Sequence, residues 1–236
     1  MLCGAGTPSA LLSFPSKKKV SVPAGTFFLC FGALCRILNV ERVNARSLTA
    51  ERGLTMTTEQ RRAAVADAFM QMICETSLDA IRTQDIAQRA GISKATFYRL
   101  FHDKYDVMSW IYQSATDPLI TASPALKDWK IWSYANLEHI RQHLPFYRKV
   151  LGYSGQNSMM ESMAQYFQHN IVQGICLIEG VRRLPAKLQF TVEAFSYVNV
   201  YAIVWWVRHN CAPSPDTLLS YVESCMPDCL RPYYTP

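Results

Sequence analysis

Apolar side chains recur at helical spacing from about residue 57 to the C-terminal region, and no strand-like alternation competes anywhere. That regularity constrains the chain most, because helices with one apolar face must bury it against other helices. The stretch TTEQRRAAVADAFMQMICET opens with a threonine cap candidate and an acidic first-turn residue. Apolar residues then fall at 65, 66, 69, 70, 72 and 73, which predicts an amphipathic helix of about five turns. Thr83 is placed to cap a short second helix, Gln84 to Ala90, that stops at Gly91. Gly91 suits the positive φ of a tight helix exit, and Ser93 is placed to cap the next helix, which begins KATFYRLF. The prediction is a helix, a turn of about three residues and a second helix, the helix-turn-helix arrangement. Asp103 then caps a fourth helix, Lys104 to about Ala115, with Val107, Met108, Ile111 and Tyr112 on its inner side.

Pro118 and Pro124 mark a joint, and longer helices are expected beyond it. They span Leu126 to Leu144, Pro145 to Leu151, Ser158 to about Ile178, Pro185 to Asn210 with proline in its first turn, and Pro215 to Cys225. The chain from residue 57 therefore reads as all-α, a small N-terminal helical unit followed by a larger bundle. The helix Pro185 to Asn210 is apolar on most of its circumference but is interrupted by Lys187, Glu193, Asn199 and Arg208. Burial between partner helices explains that mixture better than lipid, and a share in a dimer interface is expected.

Residues 1–55 differ from the rest. They carry seven basic and two acidic side chains out of the 24 and 18 in the whole chain, so the net charge of +6 is mostly theirs. They also hold five of the ten glycines and show no sustained period, which reads as an irregular leader. The apolar run Ala24 to Cys35 has the length of a signal-peptide core and is too short to span a bilayer. No small-residue cleavage site follows it, so export is disfavoured, and Met56 is expected to be the natural start. The eight cysteines are scattered without a C-x-x-C pair, which suits a reduced, cytoplasmic setting, and no structural metal or cofactor is expected.

The segment TQDIAQRAGISKATFYRLFHDKYDVMSWIYQ resembles the helix-turn-helix signature of the TetR family of bacterial transcriptional regulators. Thr83, Ile86-Ala87, Ala90-Gly91, Ser93-Lys94, Thr96-Phe97-Tyr98, Phe101 and Lys104 stand at the family's spacings. HDKYDVMSWIY, GYSGQNSMMESM and WWVRHNCAPSP resemble the branch that includes the dihydroxyacetone-kinase operon regulator. The fold this implies is all-α, with about nine helices: a three-helix DNA-binding unit over 57–115 and a helical effector-binding and dimerisation bundle over 116–236. Physically, Ile86, Ala87, Ile92, Phe97 and Phe101 suit a scaffold that fixes the crossing of two helices. Lys94, Ala95, Thr96, Tyr98 and Arg99 lie at the start of the recognition helix, the part that enters a major groove. Arg99 suits a guanine edge, and Thr96 or Ala95 a thymine methyl. Thr83, Lys94, Tyr98 and Lys104 suit phosphates, and the resemblance implies the same division of roles.

The resemblance also implies a homodimer that binds double-stranded operator DNA and answers to a small-molecule effector or a protein co-regulator. Trp129, Trp132, Phe146, Tyr166, Tyr197, Tyr201 and Trp205 are candidate pocket aromatics, although core packing produces the same spacing. Catalysis is not expected. Gly152-Tyr153-Ser154-Gly155-Gln156 lacks the last glycine of a nucleophile elbow. His139 and His143 lie one helical turn apart, but Ile140 stands where a zincin needs glutamate, so a solvated helix face is expected there. Two other readings stay open: an interaction protein of the same fold that no longer reads DNA, suggested by seven basic and seven acidic side chains over 56–115, and a membrane-associated sensor using the leader.

Overall fold

The computed structural model describes residues 56–122, 126–153, 155 and 158–234. All of them lie within one compact unit, Thr49–Pro236. The expectations for the leader and for a joint at Pro124 fall outside the described residues. Among those described, every regular element is helical.

Helix α1, Thr58–Glu75, starts from a reciprocal cap. The Gln60 N–H donates to Thr57 Oγ1 at 3.2 Å, and the Thr57 N–H donates to Gln60 Oε1 at 2.8 Å. Its buried stripe is Val65, Ala66, Ala68, Phe69, Met72 and Ile73. Helix α2, Thr83–Arg89, is not capped by Thr83 as expected: Arg82 occupies the cap position without a side-chain bond. The Thr83 hydroxyl is engaged elsewhere, with Tyr98. Gly91, at φ +69°, turns the chain out of α2, and Ser93 Oγ accepts the Thr96 N–H at 3.1 Å to open α3, Lys94–Leu100.

Helix α4, Lys104–Ala122, starts at Asp103, whose Oδ1 accepts the N–H groups of Tyr105 and Asp106 at 2.8 and 2.9 Å. It does not stop before Pro118. The proline removes one helical hydrogen bond, but its ring faces solvent while Thr116 and Leu119 stay buried, so the last turn keeps its packing. A 3₁₀ turn, Leu126–Asp128, leads into α5, Trp129–Gln142. His143 separates α5 from α6, Leu144–Leu151, where one longer helix was expected to run to Leu144. A Cβ on Gly174 would lie 2.7 Å from Leu126 Cγ, so the glycine lets the 3₁₀ turn sit directly on the next helix.

That helix, α7, Met159–Glu179, is capped by Ser158 and ends at Gly180 with φ +67°. It pairs along its length with α8, Ala186–Arg208, for which Pro185 is the cap residue. Ser214 caps α9, Pro215–Ser224, and α10, Arg231–Tyr234, closes the chain by packing Tyr234 on Trp129. Helix α8 buries one face, with Val192, Phe195, Val200, Ile203, Val204, Trp206 and Val207, and leaves Phe190, Tyr197 and Tyr201 exposed. It is therefore covered on one side within the chain, not around most of its circumference. By length and composition alone α8 could cross a membrane, yet 44% of its most apolar window is buried in the chain.

The N-terminal helices are joined to the bundle through α6. Phe146 meets Phe69 edge to face with ring centroids 6.2 Å apart, and Lys149 Nζ donates to the carbonyls of Cys74 and Thr76 at 3.0 and 3.4 Å. Those carbonyls belong to the end of α1, where helix oxygens lack partners and favour a cation.

Candidate nucleic-acid interface

The crossing of α2 and α3 is fixed from beneath by Ile86, Ala87, Phe97 and Phe101, all at most 3% exposed. Ile92 is only half-buried and sits at the margin of this cluster. Phe97 and Phe101 pack ring to ring at 6.0 Å, and the Arg62 guanidinium stands 5.6 Å over the Phe101 ring. With its inner face so occupied, α3 presents Lys94, Ala95, Tyr98 and Arg99 to solvent, with Thr96 half-buried between them.

Two side-chain links order that surface. The Tyr98 and Thr83 hydroxyls lie 3.0 Å apart and tie α3 to the first residue of α2, while Tyr98 remains 50% exposed. Arg99 Nη2 donates to Thr96 Oγ1 at 3.2 Å, and Thr96 Oγ1 lies 3.0 Å from Ser93 Oγ. The guanidinium is thereby steered by a relay of two hydroxyls that begins at the helix cap. Sequence reasoning assigned Ser93 to capping and missed its place in this relay; the i, i+3, i+6 spacing of Ser93, Thr96 and Arg99 was the available signal.

Lys104 is placed differently. Its ammonium donates to the carbonyls of Leu78 at 2.7 Å and Ile81 at 3.1 Å, with Asp79 at 3.5 Å, and so closes the loop between α1 and α2. The side chain remains part-exposed while the loop carbonyls hold its ammonium. Five of the seven positions expected at the interface, Lys94, Ala95, Thr96, Tyr98 and Arg99, thus lie on α3, Thr83 is bonded to them through Tyr98, and Lys104 holds the α1–α2 loop.

The seven aromatics expected to line an effector cavity do not converge. Trp129, Trp132 and Phe146 are core residues, Tyr166 is half-buried and donates to Asp117 at 2.6 Å, and Tyr197 and Tyr201 face outward. Trp205 stacks on His209 at 4.1 Å. Helical spacing marks a stripe but not the neighbour it meets.

The bundle instead encloses a polar group that was not anticipated. Asn136 Nδ2 donates to the Tyr112 hydroxyl at 2.8 Å, and both residues are buried. Asn136 Oδ1, His139 Nε2 and the Tyr147 hydroxyl are buried without a partner. The His139 and His143 rings lie 4.5 Å apart, and Tyr147 meets His139 edge to face at 5.8 Å. His139 is therefore not on a solvated face as expected; burial, then the neighbouring His143, lower its pKa to about 3. Burial likewise pushes the Tyr112 and Tyr147 phenols well up. Asn136 also borders a cavity of about 20 Å³ shared with Ser133 and Asn199, which is room for a single water molecule.

Residues 65–109 match the family described as "Bacterial regulatory proteins, tetR family", and residues 127–228 match the TetR-type "Transcriptional regulator C-terminal region". The chain is 27% identical over 86 residues to the HTH-type dhaKLM operon transcriptional activator DhaS of Lactococcus lactis. That match takes in 36% of this chain and 46% of the relative, so it spans less than half the relative's length. A solved structure described as the dihydroxyacetone kinase operon activator DhaS superposes with a TM-score of 0.51. It covers 73% of this chain and 97% of that one at 16% identity, a likeness of fold.

Proposed function

Because this chain belongs to the TetR family of transcriptional regulators, we propose that it binds a palindromic DNA operator as a homodimer, with affinity set by an effector or a protein co-regulator. The observation that carries the reading is the exposed start of α3, where Lys94, Ala95, Thr96, Tyr98 and Arg99 stand together on a scaffolded helix. Arg99, steered by Thr96, suits a guanine edge; Ala95 and Thr96 suit a thymine methyl; Lys94, Tyr98 and Thr83 suit flanking phosphates.

Dimerisation is supported by the outward face of α8, where Phe190, Tyr197 and Tyr201 are 72%, 45% and 67% exposed. A second copy covering that face would set two recognition helices at a fixed separation, and only one separation fits half-sites about 34–36 Å apart. An effector that prefers one separation shifts the population between binding and non-binding forms.

Footprinting on the gene's own upstream region, with gel-shift titration of Lys94→Ala and Arg99→Ala, tests the reading. Protection of two half-sites, weakened by both substitutions, is the expected result. Absence of any protected site, or unchanged binding in both variants, would assign the fold to an interaction protein that does not read DNA.

A further inference from the structure

Away from the α2–α3 corner, Arg148 near the end of α6 and Arg208 at the end of α8 line one cavity of about 230 Å³. Leu151, Gly152, Val204 and Val207 complete it, and no carboxylate is among its walls. Arg208 takes part in no ion pair among the described residues. Nor is it needed to close its own helix. The carbonyls of Trp205, Trp206 and Val207 already accept from the N–H groups of His209, Cys211 and Asn210, in a turn that holds Asn210 and Cys211 at φ 58°. Arg148 donates to the side-chain carbonyl of Asn210, a neutral acceptor. Glu138, whose charge reaches this same turn at Cys211, is held by Arg141 at 2.6 Å. Two guanidinium groups therefore border one cavity with no carboxylate in its walls. An oxyanion there meets charge-assisted donors on both and matches the planar fork of each group.

We infer that this cavity between α6 and α8 binds a small organic anion, a carboxylate or phosphate monoester, whose oxygens meet Arg148 and Arg208 and whose short apolar part lies on Leu151, Val204 and Val207. Both arginines are exposed within the single chain. The volume lies below the 300–1,000 Å³ usual for drug-sized ligands, which limits the occupant to roughly ten non-hydrogen atoms. The inference goes beyond operator binding and is measured without an operator, so either can fail alone. A DNA backbone phosphate offers the same chemistry, and the test separates the two sources.

Full-length protein is titrated calorimetrically with inorganic phosphate and with butyrate at constant ionic strength in chloride. Wild type is compared with Arg148→Gln, Arg208→Gln and, as a control outside the cavity, Lys130→Gln, whose partner is Glu223. Saturable binding is expected, weakened about tenfold or more by either cavity substitution, each of which removes charge-assisted hydrogen bonds, and unchanged in Lys130→Gln. A short duplex without the operator is expected not to displace the bound anion. Thermal unfolding checks each variant, and Arg208→Lys, which keeps the charge but loses the fork, replaces any that fails to fold. Absence of saturation with both anions, wild-type binding in both cavity variants, or full displacement by the duplex would overturn the inference.

Discussion

The hydroxyls of Thr83 and Tyr98 stand 3.0 Å apart and connect the first turn of α2 to the middle of α3. The bond is solvent-exposed, so its net contribution to stability is at most about 1 kcal/mol. Its larger effect is on where the Tyr98 hydroxyl points. Tyr98→Phe is expected to lower operator affinity roughly three- to tenfold while changing unfolding free energy by less than about 1 kcal/mol. Gel-shift titration beside urea unfolding measures both. A large stability loss with unchanged affinity would make Tyr98 a packing residue.

Arg99 and Lys94 are expected to fail in different ways. Arg99→Ala should cost about 1–3 kcal/mol and relax discrimination at one base position, as loss of a bidentate base contact does. Lys94→Ala should weaken binding to all sequences alike and reduce the salt slope by about one unit. Titrations against operator variants at several salt concentrations separate the two. Identical behaviour of the variants would cancel the division of roles.

Lys104→Met tests the brace across the α1–α2 loop. Without the ammonium, the Leu78 and Ile81 carbonyls lose their partner, and a destabilisation of about 1–3 kcal/mol is expected in urea unfolding. The salt slope of the folded variant should match wild type. A slope reduced by about one would return Lys104 to the phosphate-contacting set.

His139 should make stability depend on pH in a defined window. Its folded pKa is lowered to about 3 from an ordinary 6.5, so the folded protein refuses a proton that the unfolded chain accepts. The contribution is complete above pH 6.5 and is lost as pH falls toward 3, by up to roughly 1.4 kcal/mol per unit. Between pH 7 and 5 the urea midpoint of wild type is expected to fall, and His139→Gln should remove about 2 kcal/mol of that fall. An equally steep decline in the variant would place the proton uptake elsewhere.

What was legible in the sequence divides along a physical line. The turn between α2 and α3 was readable because Gly91 and Ser93 act on their immediate neighbours, through a positive φ and a local cap. The all-helical class followed from period alone. The loop bonds of Lys104 were not legible because the carbonyls that hold it lie 23 to 26 residues earlier in the chain. Pro118 was read as a stop because a proline's local cost is visible in sequence, whereas the burial of Thr116 and Leu119 that offsets it is not. His139 looked solvated beside polar neighbours until α6 folded back over it and brought Tyr147 against its ring. The pocket aromatics scattered for the same reason: spacing assigns a face to each helix, and only the packing of helices decides which faces meet.

Helix α4 passes unbroken through Pro118, with Lys104 fastened to the α1–α2 loop at one end and Asp117 accepting from Tyr166 of α7 near the other. Nineteen residues make a rod roughly 28 Å long. If it pivots by about five degrees at Asp117, Lys104, 13 residues away along the helix, sweeps roughly 1.7 Å. In mechanical terms such a pivot would make α4 a lever with its fulcrum in the bundle and its load at the α1–α2 loop.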